Sequence, residues 1–171
     1  MKWLEQSIYS NPLLDWLVAL GIAAGVAVLL LLLRRTVPSW FAAWARRTET
    51  RVDDIVVEVL AVTKPVFLLV VALYLSAQYL ALPDKAVRIV GGVALVALLL
   101  QAGAWGQRGI ALALRLKKET DAAGATTLAV LGFVGRIVLW SVVLLMILDN
   151  LGVNITALVA SLGIGGIAVA L

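Results

Sequence analysis

A chain of 171 residues that is 63% hydrophobic, with a mean hydropathy of +1.07, carries more apolar surface than a soluble fold of this size can hide; soluble domains are about 45–50% apolar. Its solvent is therefore lipid. Cys and His are absent, which excludes disulfides, Cys- or His-based metal sites and a histidine proton switch. The net charge of +4 is no argument for nucleic acid, because the basic residues flank apolar stretches, where they orient a membrane protein.

Five apolar stretches follow in chain order, and the fold class they predict is an all-α polytopic membrane protein with five transmembrane helices. The first runs from about Leu13 to Leu33 and is closed by Arg34-Arg35. Its arginines follow the apolar run, the reverse of a secretory signal, so it reads as a retained span. The second runs from about Ile55 to Leu80, with a kink expected at Pro65, and ends at Leu82-Pro83-Asp84. The third is about Ala86 to Ala104, and the fourth about Thr127 to Leu148. The fifth, Asn154 to Leu171, is near the lower length limit of about 17 residues for a span.

Charge orients the stack. Arg34, Arg35, Arg46, Arg47 and Arg51 fall between spans one and two, and Arg108, Arg115, Lys117 and Lys118 between spans three and four. The positive-inside rule places both loops in the cytoplasm, the amino terminus outside and the carboxyl terminus inside. Trp3, Trp16, Trp40, Trp44 and Trp105 sit near span ends, where an aromatic belt belongs. Val37 to Arg51 reads as a helix on the inner surface, with Trp40, Phe41 and Trp44 in lipid and Arg46 and Arg47 toward phosphate. Ile110 to Lys118 is either a second such helix or an extension of span three. Lys64 and Arg136 are basic residues within spans, read as lipid contacts or as snorkelling side chains. Asp53 and Asp54 suit a helix N-terminus better than catalysis. No enzyme constellation, metal site or cofactor motif is present in the sequence.

The fifth stretch, NITALVASLGIGGIAVAL, is apolar yet rich in Gly, Ala and Ser. On a wheel of about 100° per residue, Ala157, Ser161, Gly165 and Ala168 share one sector of roughly 80°, and Gly163, Gly166 and Ala170 share a second. Between the two runs a stripe of Ala160, Ile164, Ile167 and Leu171. Two small-residue seams let a helix approach two neighbours closely, so a ring of parallel helices would turn the aliphatic stripe to its axis. Such a lining is a hydrophobic constriction that gates by dewetting. The same composition also suits a packing helix inside a monomeric bundle.

The run LDNLGVNITALVASLGIGGIAVAL, Leu148 to Leu171, resembles the approach to the pore helix of the small-conductance mechanosensitive channel (MscS-like) family and the first part of that helix. TETRVDD, Thr48 to Asp54, resembles a polar stretch such channels carry before a membrane helix. The resemblance implies that Ile167 and Leu171 are two apolar constriction rings, and that Ala160, Gly163, Gly166, Ala168 and Ala170 are packing positions. It also implies a homo-heptamer in a bacterial inner membrane, passing ions and small osmolytes in hypo-osmotic shock. The family continues into a kink, a second half-helix and a cytoplasmic β-rich domain, so the sequence reads as the membrane portion of a longer channel or as a truncated product.

The expected organisation is residues 1–126 as peripheral sensor helices, 127–153 as the fourth span and its turn, and 154–171 as a truncated pore-lining helix. The expected partners are the lipid bilayer, further copies of the chain, and permeating ions and small solutes, with no nucleic acid and no cofactor. Two other readings stay open at this point: a membrane-embedded structural or assembly protein, and half of a secondary transporter.

Overall fold

A computed structural model describes residues 7–8, 11–45, 58–120 and 125–170. The chain is built of helices: α1 Leu13–Ala45, α2 Pro65–Ala77, α3 Asp84–Thr120, α4 Ala125–Asn150 and α5 Thr156–Ala170. A two-residue antiparallel pair, β1 Ser7–Ile8 with β2 Asn11–Pro12, precedes them and has no counterpart in the sequence reading. It is tied to the α2–α3 turn by the buried Asn11 amide. Nδ2 donates to the Ala81 carbonyl at 3.0 Å, and Oδ1 accepts from the Ala81 N–H at 2.9 Å.

Among the described residues, three helical segments are long and apolar enough to cross a membrane: Leu13–Thr36, Asp84–Lys118 and Thr126–Asn150. They match the expected first, third and fourth spans. Their large side chains face outward, as in Leu20 at 68% and Phe133 at 64% exposure, a surface only lipid can solvate. The buried apolar positions are mostly small or sit at helix crossings. Ala19 and Ala23 are buried on α1, which packs along α2, where Leu68, Ala72 and Ser76 are buried at successive turns.

The expected second span is not one helix. A turn of helix at 58–61 ends, residues 63–64 are outside any helix, and α2 starts afresh at Pro65. Lys64 sits at φ −78°, ψ 138°, the extended conformation that a following proline imposes, and Pro65 takes the first helical position, where its missing N–H is no loss. The result is a break rather than a kink. The 13 residues of α2 rise about 20 Å, short of a hydrocarbon core of about 30 Å.

One other boundary differs from expectation, and one open alternative is decided. α1 continues through Val37 to Ala45, so that part of the expected surface helix is an extension of the first span. α3 runs unbroken to Thr120, which resolves Ile110 to Lys118 as an extension of the third span.

Candidate pore helix and the polar groove beside the broken helix

α4 ends where its sequence can turn. Gly152 has φ +80°, a conformation that costs other residues steric energy. The Gly152 N–H donates to the Asp149 carbonyl at 2.9 Å and the Val153 N–H to the Leu148 carbonyl at 3.0 Å, the bond pair of a Schellman stop. Asn154 then starts α5, its Oδ1 accepting the Thr156 N–H at 3.0 Å, as an N-cap does. The polar turn between the fourth and fifth stretches is thus a stop signal followed at once by a start signal.

α5 is a continuous helix from Thr156 to Ala170, so the angular spacing that defines two small-residue seams applies to its backbone. Among the described residues the closely packed helix pairs are α3 with α4, α1 with α2 and α2 with α3, and α5 is in none of them. Ala157, Ala160, Ser161, Gly163, Gly165 and Gly166 are all exposed. A Cβ added at Gly163, Gly165 or Gly166 would meet nothing within 4 Å. The seam between α3 and α4 is different: a Cβ at Gly103 would meet Val143 at 3.2 Å, one at Gly106 would meet Leu139 at 3.1 Å, and one at Gly132 would press on Leu114. The chain therefore uses glycine for close packing between α3 and α4, while the glycines of α5 face open space. The side chains of Ile164, Ile167, Ala168 and Ala170, and the whole of Leu171, Arg46 and Arg47, lie outside the described residues.

The second locus surrounds the break before α2. Three groups on residues 58–64 bond to one face of α3. The Lys64 N–H donates to Gln101 Oε1 at 2.9 Å, Trp105 Nε1–H donates to Thr63 Oγ1 at 3.1 Å, and Arg108 pairs with Glu58 at 2.5 Å. Gln101, Trp105 and Arg108 have the i, i+4, i+7 spacing of a single helix face. The Trp105 ring also meets Phe67 edge to face, with centroids 6.0 Å apart. Trp105 is thus half-buried in a helix–helix contact, where the sequence suggested an aromatic belt.

Beside this latch lies a groove of about 600 Å³ between α2, α3 and α4, lined by Lys64, Val66, Gln101, Arg108, Arg136 and Trp140 among others. Two residues picked out by sequence, Lys64 and Arg136, meet here, and both are exposed. Trp140 is held by donating to Gln107 Oε1 at 2.8 Å. Sequence reasoning missed Gln101, Thr63 and the Glu58–Arg108 pair. The available signal was Gln101 itself, a polar residue inside VALLLQAGAW, in register with Trp105 and Arg108.

Residues 134–171 match the family described as mechanosensitive ion channel, transmembrane helices 2/3. The matched stretch covers most of α4, the Gly152 turn and α5. No curated protein and no solved structure matches the chain. The matched stretch contains Leu148 to Leu171, the run that carries the resemblance to mechanosensitive channels in the sequence.

Proposed function

We propose that this chain forms the transmembrane part of a tension-gated channel for ions and small osmolytes, assembled as a ring in which each copy contributes α5 to the pore. The observation that carries the reading is the state of α5: two seams of small residues, exposed along the described part of the helix and unused by the packed helix pairs of its own chain. Close approach of helices in lipid is what such residues provide, and two seams suit two neighbours. A packing helix inside a monomeric bundle would instead show contacts of the kind made by Gly103 and Gly106. The similarity of residues 134–171 to mechanosensitive channel helices points the same way.

In this reading Ile167 and Leu171 form the constriction, with Ala160 and Ile164 lining the approach. Ala157, Ser161, Gly163, Gly165, Gly166, Ala168 and Ala170 are the surfaces along which neighbouring helices slide. Tension favours the state of larger membrane area, so α1, α3 and α4 tilt outward and the rings widen and wet. In this reading the loop arginines favour an outward amino terminus and a carboxyl terminus in the cytoplasm of a bacterial inner membrane, and the family resemblance favours a ring of seven copies. Arg46 and Arg47 contact inner-leaflet phosphates.

The test is the mass of the nanodisc-extracted assembly by native mass spectrometry. A sevenfold ring supports the proposal. A monomer from full-length protein, in which any cytoplasmic portion is present, counts against it.

A further inference from the structure

We propose that the groove between α2, α3 and α4 binds the phosphate of an anionic phospholipid. The inference rests on α3 and α4 lying in a bilayer and not on the channel reading.

The first observation is an unused donor. Gln101 is 2% exposed, and its Nε2 has no hydrogen-bond partner among the described residues. Its orientation follows from chemistry: the Lys64 N–H needs an acceptor and takes Oε1, which leaves the amide nitrogen as the free end. A buried donor of this kind calls for an acceptor, and Gln101 is one of the residues that line the groove.

The second observation is the start of α2. Of its four N-terminal N–H positions, Lys64 bonds to Gln101 and Pro65 has no N–H, and the first bonded position after them is Leu68, whose N–H reaches the Lys64 carbonyl at 3.4 Å. The N–H groups of Val66 and Phe67 remain without an intrahelical acceptor, at the positive end of the helix dipole. Both residues line the groove. Around them stand three cations, Lys64, Arg108 and Arg136, with one carboxylate, Glu58, engaged by Arg108. The groove thus offers donors and excess positive charge, which suits a phosphate.

Depth and lining select a lipid. Gln101 lies about 26 Å along α3 from Asp84 by helical rise, near the far boundary of a hydrocarbon core of about 30 Å. The polar end of the groove therefore falls at headgroup level, on the side where α3 ends in Lys117 and Lys118. Its other walls include Val66, 67% exposed, and Leu100, 46% exposed, apolar surfaces along which an acyl chain can run.

The experiment places the full chain in phosphatidylcholine nanodiscs doped with phosphatidylglycerol and counts retained lipids by native mass spectrometry. The wild type is expected to hold one phosphatidylglycerol per chain in preference to phosphatidylcholine. Removing two charges in K64Q/R136Q is expected to weaken retention about tenfold or more, while K117Q/K118Q, with exposed cations outside the groove, leaves it unchanged. Gln101→Leu is expected to weaken it as well. Both residues of the K64Q/R136Q variant are exposed, so that test stands even if Gln101→Leu fails to fold. Equal retention of the two lipids, equal retention by K64Q/R136Q and wild type, or displacement by millimolar inorganic phosphate would overturn the assignment. The last outcome would identify a soluble phosphate as the ligand.

Discussion

Replacing Gly166 with leucine separates the packing of a single chain from the packing of a ring. Within the chain, a Cβ at Gly166 meets nothing within 4 Å, so the new side chain enters open space. A glycine in a helix interior costs about 1 kcal/mol relative to a good helix former, so the fold of the chain should be unchanged or slightly more stable. Gly106→Leu supplies the contrast: its Cβ would already lie 3.1 Å from Leu139, and overpacking of that kind costs about 1–3 kcal/mol. In a ring the order reverses. Leucine at a seam forces two α5 backbones apart, at about 1–3 kcal/mol for each interface, or about 7–21 kcal/mol over seven interfaces. Thermal unfolding followed by circular dichroism reads the first effect, and native mass spectrometry the second. Gly166→Leu should melt like the dissociated wild-type chain yet fail to assemble. A Gly166→Leu ring of unchanged mass and stability would refute the seam assignment, and a chain that unfolds as readily as Gly106→Leu would refute the free-standing α5.

Ile167→Ser places a hydroxyl in the proposed constriction, so the dry closed state should be lost more easily. In the full-length channel it is expected to lower the tension threshold in patch recordings and impair growth; normal growth with an unchanged threshold counts against Ile167 as a constriction residue. Gly152→Ala isolates a backbone effect, because the position has open space around it but a φ of +80°. It should destabilise the α4–α5 turn by about 1–2 kcal/mol, read as faster amide exchange at Val153, with Gly152→Asn milder because asparagine tolerates this conformation. A neutral alanine would mean that the turn is not left-handed.

The sequence by itself determined the solvent of this protein, three of its long helices and the α4–α5 connection. Each depends on local chemistry. Hydropathy over a window needs no knowledge of neighbours, and Gly152 and Asn154 act on backbone groups within a few residues of themselves. The two-seam pattern of α5 was legible for the same reason, since it is a property of one helix's period.

The tertiary structure decided what those elements meet. Apolar residues from Ile55 to Leu80 read as one span because a hydropathy window counts side chains and is blind to backbone continuity. The break at residues 62–64 is held by bonds from Thr63 and Lys64 to Trp105 and Gln101, about forty positions away in the chain. Trp105 looked like an interfacial anchor because a tryptophan near a span end suits either water or a partner, and only the position of Thr63 and Phe67 turned it inward. Lys64 and Arg136 were each visible as a costly charge within a span. Their convergence on one groove with Gln101 requires α2, α3 and α4 to be packed together. Glycine shows the same division. The sequence marks Gly106 and Gly166 alike as small residues in apolar helices, and only the fold shows that Gly106 is pressed against Leu139 while Gly166 faces open space, because close packing is a relation between two helices and not a property of either one.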